Sequence, residues 1–148
     1  MKISTKGRYG LRAMMDLATH GGNGTPVFLS DIAKRQAISD KYLEQIFAHL
    51  HRAGLVKTVR GRKGGYLLTR PAIDITLKEI TAILEGPCIL VDCVAEPEAC
   101  SRSAKCATRD IWTLLGQKMD DFLASFTLAQ LADMQKEKTQ EERHMYYI

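Results

Sequence analysis

The sequence predicts a mainly α-helical chain with one small β-hairpin, an α+β fold, and three observations carry that reading. Apolar residues recur at helical spacing in stretches around residues 7–20, 40–53 and 107–126. Two short β-prone runs, LVKTV and YLLT, flank the basic glycine-rich stretch RGRKGG. Capping residues stand ahead of several of the apolar stretches, and glycine or proline follows them.

The first helix is expected over residues 7–20, with Leu11, Met14, Met15 and Ala18 on one face, and GGNGTP ends it. A second helix of about two turns, DIAKRQ, follows Ser30 as its expected N-cap. Ala37 and Ile38 make a short turn before a new cap at Ser39. The third helix then carries Tyr42, Leu43, Ile46, Phe47 and Leu50 on its apolar face and ends at Gly54. Two capped helices joined by so tight a turn form a helix-turn-helix, and the hairpin behind them makes a wing.

A short helix, about Leu77 to Leu84, follows Arg70-Pro71 and closes at Gly86-Pro87. The segment from Cys88 to Cys106 shows no period and contains Pro97, which reads as a loop that orders on binding. Beyond it, Ile111, Leu114, Leu115, Met119, Phe122, Leu123 and Phe126 describe a long amphipathic helix with little left in the chain to cover it. Thr127 and Gln130 form a capping box for a last helix, LAQLADMQ, ahead of a polar tail. The expected organisation is a winged helix-turn-helix over 1–86, a cysteine loop over 87–106, dimerisation helices over 107–136 and the tail over 137–148.

Net charge is +4 over 148 residues, but its distribution is uneven. Residues 1–70 hold 13 Lys and Arg against 4 Asp and Glu, whereas residues 71–148 hold 8 against 13. Such polarity suggests that the front half binds a polyanion. The opening MKISTKGRYG has no apolar run behind its basic residues, and no window approaches a membrane span, so a cytoplasmic chain without a membrane partner is expected. With no phosphate-binding glycine loop and no nucleophile-base set, an enzyme is not expected; His20, His49, His51 and His144 read as surface or helix residues.

On the third helix, Lys41, Glu44 and Gln45 lie opposite the apolar stripe and near the N-terminal end, where a recognition helix faces base edges in the major groove of double-stranded DNA. Gln45 suits adenine, Glu44 can accept from cytosine, and Lys41 suits guanine or a phosphate. Arg60, Arg62 and Lys63 sit among Gly61, Gly64 and Gly65, a basic tip able to approach phosphates or a narrow minor groove. Lys2, Lys6, Arg8 and Arg12 extend the positive surface to the first helix.

The four cysteines, Cys88, Cys93, Cys100 and Cys106, fall within 19 residues, which in a reducing compartment suggests a metal or redox site. No paired C-x2-4-C knuckle of structural zinc occurs. The wider C-x6-C-x5-C spacing suits a loop wrapped around an iron-sulfur cluster, with free thiols or a redox disulfide as the alternatives.

The opening MKISTKGRYGLRAMMDLA, the stretch SDKYLEQIFAHLHRAGLVKTVRGRKGGYLL and the three cysteines before a long helix resemble the Rrf-family winged-helix regulators, most closely those of IscR type that control iron-sulfur biogenesis. The resemblance implies a homodimer whose long helices cross and whose recognition helices each enter a major groove of an operator. It implies a cluster, of 2Fe-2S type, on Cys93, Cys100 and Cys106, base reading by the segment from Lys41 through Tyr42 and Glu44 to Gln45, and a minor-groove role for Arg60. The sequence departs from that pattern twice: the first cysteine gap is one residue longer, and Arg109 stands where a histidine ligand is usual. A guanidinium stays protonated and is a poor ligand. Cys88, Asp92, Glu96 or a residue of a second subunit are the candidates for the fourth ligand. Nitric-oxide-sensing relatives with a 4Fe-4S cluster use an acidic residue near the start of the first helix, where this chain has Arg8. A 4Fe-4S repressor of the same fold and a cluster-free thiol switch are the alternative functions.

Overall fold

A computed structural model describes residues 2–146. Helix α1 (Thr5–His20) begins where Ser4 caps it, the Ser4 hydroxyl accepting from the Gly7 N–H at 3.1 Å. Helix α2 (Leu29–Gln36) differs from the sequence expectation: its N-cap is Phe28, which makes no side-chain capping bond, and Ser30 lies inside the first turn. Ala37 then adopts a left-handed conformation, φ 53°, which turns the chain sharply enough for Ile38 N–H to reach the Ala33 carbonyl. Ser39 does cap helix α3 (Asp40–Arg52), accepting from Tyr42 N–H at 3.3 Å, and Gly54 at φ 78° ends it.

Strands β1 (Val56–Val59) and β2 (Gly65–Leu68) pair antiparallel, with Val56 opposite Leu68 and Val59 opposite Gly65. Helix α4 (Leu77–Glu85) is capped by Thr76. The cysteine segment, expected to lack regular structure, contains a one-turn helix α5 (Asp92–Ala95) and 3₁₀ turns at Pro97–Ala99 and Ser103–Lys105. Elements of one turn are too short to leave a period in the sequence.

Helix α6 (Ala107–Ala124) is the long amphipathic helix, and helix α7 (Leu128–Tyr146) follows through the expected capping box. Gln130 N–H donates to Thr127 Oγ1 at 3.2 Å, and Thr127 N–H donates to Gln130 Oε1 at 2.8 Å. The segment expected to be a polar tail is instead helical through Tyr146; Tyr147 and Ile148 lie outside the described residues, as does Met1. Its Gln, Lys and Glu residues are good helix formers and add local pairs such as Lys136–Asp133 at 3.2 Å, so it needs no apolar stripe.

One core joins the two ends of the chain. Leu17, Ile32, Leu43, Ile46, Phe47 and Leu50 from α1 to α3 pack with Ile80 and Leu84 of α4 and with Leu128 and Ala132 of α7, crossing the division expected at residue 86. Two backbone bonds hold the crossing: Leu77 N–H to Phe126 O at 3.0 Å and Leu128 N–H to Ile75 O at 2.8 Å.

The expected stripe of α6 divides in two. Leu123 and Phe126 pack on the core, whereas Ile111, Leu114 and Phe122 are 59%, 53% and 64% exposed. Only part of the stripe is therefore left for a partner surface.

Asp16, 2% exposed, is the buried charge of the core. Arg35 of α2 grips its carboxylate with Nε and Nη2 at 2.6–3.1 Å, and Gln36 donates its amide at 2.9 Å. The network leaves no buried side-chain polar atom unpaired among the described residues.

Candidate functional site

Lys41, Glu44 and Gln45 are all exposed on the first turns of α3. Tyr42 beside them is half-buried and meets Tyr9 of α1 edge to face, centroids 6.2 Å apart. The Arg8 guanidinium lies 4.8 Å from the Tyr9 ring centre and that of Arg12 5.5 Å from it. Tyr9 and Tyr42 thus weld the cationic start of α1 to the start of α3, and the two positive regions read separately in the sequence become one surface.

At the wing tip, Gly61 at φ 111° closes the turn, with Gly64 N–H on Gly61 O at 3.0 Å, and Arg60, Arg62 and Lys63 are exposed around it. The base of the wing is fixed from two sides. Tyr66 and Val27 exchange backbone bonds of 2.8 and 3.0 Å, and the Tyr66 ring meets Phe47 of α3 at 4.8 Å. Gly65, φ 133°, permits this approach, because a Cβ there would stand 2.5 Å from the Val27 carbonyl oxygen. Burial, and then the charge of Glu44, push the Tyr66 phenol above its ordinary pKa, so the wing base and the exposed face of α3 share one electrostatic neighbourhood.

The cysteine loop presents a second chemistry. Cys93 lies on α5, Cys100 follows the first 3₁₀ turn and Cys106 is the N-cap residue of α6; all three are free and half-buried. The Cys106 thiol is held below its ordinary pKa by the Thr108 hydroxyl, 3.1 Å away, and by backbone N–H groups of Arg109 and Thr108. Cys88 behaves oppositely: it packs on the Met119 sulfur at 3.8 Å, and burial and then Asp120 push its thiol up. Arg109, at the position where the family pattern has a histidine ligand, donates from Nε to the Cys93 carbonyl at 2.7 Å and so clasps the loop to α6. Asp92 and Glu96 are exposed.

Among the described residues, no three His, Cys, Asp or Glu side chains converge at metal-binding distance. In kind the donors fit an iron-sulfur cluster: three thiols on short turns, one of them favouring the thiolate that such clusters require. Closing them on one cluster calls for movement of those turns. At neutral pH, Cys106 is expected to alkylate faster than Cys88, its pH-rate midpoint lying below that of an ordinary thiol and that of Cys88 above. Peptide mass spectrometry after brief iodoacetamide exposure reads the order.

The family profile described as Rrf2, iron-dependent transcriptional regulator, matches residues 3–134. The chain belongs to the Rrf2 family. An HTH-type transcriptional regulator IscR of Erwinia tasmaniensis is 40% identical over 136 residues, 92% of this chain and 81% of that one. Among solved structures, CymR, the global cysteine regulator of B. subtilis, superposes with a TM-score of 0.76 at 38% identity, covering 90% of this chain and 98% of its own. IscR of T. potens does so at 0.73 and 42%, covering 93% and 88%. These Rrf2 relatives are transcriptional regulators, and the mainly helical fold with a two-stranded wing is theirs as well. Membership makes DNA the implied partner, and no described helix is long and apolar enough to cross a membrane.

Three features of this Rrf2 chain escape sequence reading. Tyr9 and Tyr66 look like ordinary aromatic residues until the fold brings them to α3, and nothing in KCATRD announces that Arg109 turns toward Cys93. The buried Asp16 leaves a faint trace, a carboxylate set between Met15 and Leu17 on an otherwise apolar helix face.

Proposed function

We propose that this Rrf2-family regulator is a cytoplasmic homodimer that binds operator DNA through α3 and the wing and senses iron-sulfur supply with a cluster, of 2Fe-2S type, on Cys93, Cys100 and Cys106, so controlling iron-sulfur biogenesis genes. The observation that carries the reading is the position of the loop: its three thiols end at the N-cap of α6, the helix that leaves Ile111, Leu114 and Phe122 uncovered. The second copy of the chain is the occupant proposed for that face.

When bound, a cluster supplies iron-thiolate bonds that tie the turns of the loop together. The chain's own residues do the rest. Arg109 holds the Cys93 arm, Thr108 and the first N–H groups of α6 favour the Cys106 thiolate, and α6 carries the order of the loop to the dimer face. Lys41, Tyr42, Glu44 and Gln45 read bases, while Arg60, Arg62 and Lys63 engage phosphate or minor groove. Glu44 selects among sites, since a carboxylate without a donor repels DNA.

Anaerobic purification with iron, sulfide and visible spectroscopy tests the cluster. Wild type should contain both elements, Cys93→Ala should lose them and Cys88→Ala should keep them. Retention in Cys93→Ala removes the assignment. A single broad visible band in place of several features would favour the 4Fe-4S nitric-oxide sensor. For DNA, replacing Arg62 and Lys63 by Gln, with Arg60 kept for the minor groove, should reduce the slope of log K against log salt by about 1.8, at about 0.9 per phosphate contact. An unchanged slope, measured by anisotropy across a salt series, means that the wing does not touch phosphate.

The lowered pKa of Cys106 favours a second reading, a thiol switch, and CymR offers a structural precedent in a global cysteine regulator. Protein free of iron and sulfide whose cysteines pair reversibly on peroxide treatment, each pair losing two hydrogens as peroxide is reduced to water, would establish it.

A further inference from the structure

A cavity of about 740 Å³ lies between α1, α2 and α7, and of its lining only Arg12 enters the function proposed above. Arg12, Asp16, Arg35 and Gln36 line one side, and Lys136 and Arg143 of α7 line the other. Its size is that of a small-molecule site.

The near wall is a single hydrogen-bonded array. Arg12 donates from Nη2 to the Gln36 carbonyl at 2.8 Å and from Nε to Gln36 Oε1 at 3.2 Å. The Gln36 amide donates to Asp16, and Asp16 holds Arg35 through Nε and Nη2. Each guanidinium is therefore anchored along one edge, and its Nη1 makes no hydrogen bond among the described residues. Two planar forks already held in place lose little conformational freedom on meeting a bidentate acceptor.

The charge balance points the same way. Four lining cations face one lining carboxylate, Asp16, which Arg35 already neutralises; Asp31 adds a second negative charge near Arg35, and His20 beside Asp16 adds positive charge only when protonated. Lys136 pairs with Asp133 at 3.2 Å, an exposed contact that water screens, while Arg143 has no acidic partner among the described residues. Gln135, Thr139 and Gln140 add uncharged polar groups on the α7 side.

We propose that this cavity binds a small anion carrying two or more carboxylate or phosphate groups, one group on the forks of Arg12 and Arg35 and another on Lys136 and Arg143. Such a ligand bridges α2 of the helix-turn-helix to the helix that follows the α6 arm, and its binding sets how firmly the two are joined.

Calorimetric titration of the full-length protein with citrate and, separately, inorganic pyrophosphate, in chloride at constant ionic strength, tests the proposal. At least one probe should saturate one site per protomer, and which one does so names the acid class. Lys136→Gln with Arg143→Gln should weaken that binding at least tenfold, as should Arg12→Lys, which keeps the charge and removes the fork. Lys138→Gln, on the same helix outside the cavity, should leave it unchanged. Absence of saturation with both probes overturns the proposal, as does equal weakening by Lys138→Gln, which would mean unspecific charge attraction. Operator affinity that falls in the Lys136→Gln, Arg143→Gln double variant without added anion also overturns it, because the array would then be gripping a DNA phosphate.

Discussion

Replacing Arg35 by methionine should lower folding stability by about 3 kcal/mol, the low end for a broken buried ion pair, because Asp16 is buried while the Arg35 side chain is 34% exposed. Asp16 is 2% exposed and takes three bonds from Arg35, so the variant leaves a carboxylate with the Gln36 amide and His20 as its nearby partners. The size of the loss comes mainly from that stranded charge rather than from the attraction itself. Replacing Asp16 by leucine in the same chain should therefore recover most of it, since an apolar pair of similar volume often matches a buried ion pair. Urea unfolding at one fixed protein concentration gives both values, the concentration being held because the proposed dimerisation would add to apparent stability. A double variant no more stable than Arg35→Met would show that the pair contributes through packing of the arginine stem.

Phe47→Ala should cost about 3–5 kcal/mol, by a different route. Phe47 is fully buried, and its removal opens a cavity beneath α3. It also removes the ring on which Tyr66 rests, 4.8 Å away, and with it the aromatic contact between the wing base and α3, leaving the backbone bonds to Val27 on the other side. Operator affinity should consequently fall even where the variant is fully folded, at low temperature and without denaturant. Phe47→Leu separates the effects: it fills most of the volume and removes the aromatic contact. Full operator affinity in Phe47→Leu would mean that the Val27–Tyr66 backbone bonds suffice to set the wing.

The helix-turn-helix and wing were legible because their signals are local. Ser39 and Gly54 punctuate a strong amphipathic stripe, and RGRKGG separates two β-prone runs. Where the sequence misled, the physics was either too short in range or too long. The one-turn helix around Cys93 cannot show a period, and the polar half of α7 is helical without an apolar face to reveal it. Long-range effects were hidden for the opposite reason. That Leu123 and Phe126 turn to the core while Phe122 faces out depends on how α6 meets α4, and the Arg12–Gln36–Asp16–Arg35 array joins residues up to 24 positions apart. Of the candidate site, the residue types and their placement along the chain were readable, but the clasp made by Arg109 and the welding of α1 to α3 through Tyr9 and Tyr42 were not.

The paired backbone bonds between Ile75–Leu77 and Phe126–Leu128 have a topological consequence. They close everything from α4 to the end of α6 into one loop whose two feet stand side by side on the core. The cysteine segment, residues 87–106, lies within that loop and supplies neither foot, so its length and spacing are set separately from the bonds that anchor the loop to the core.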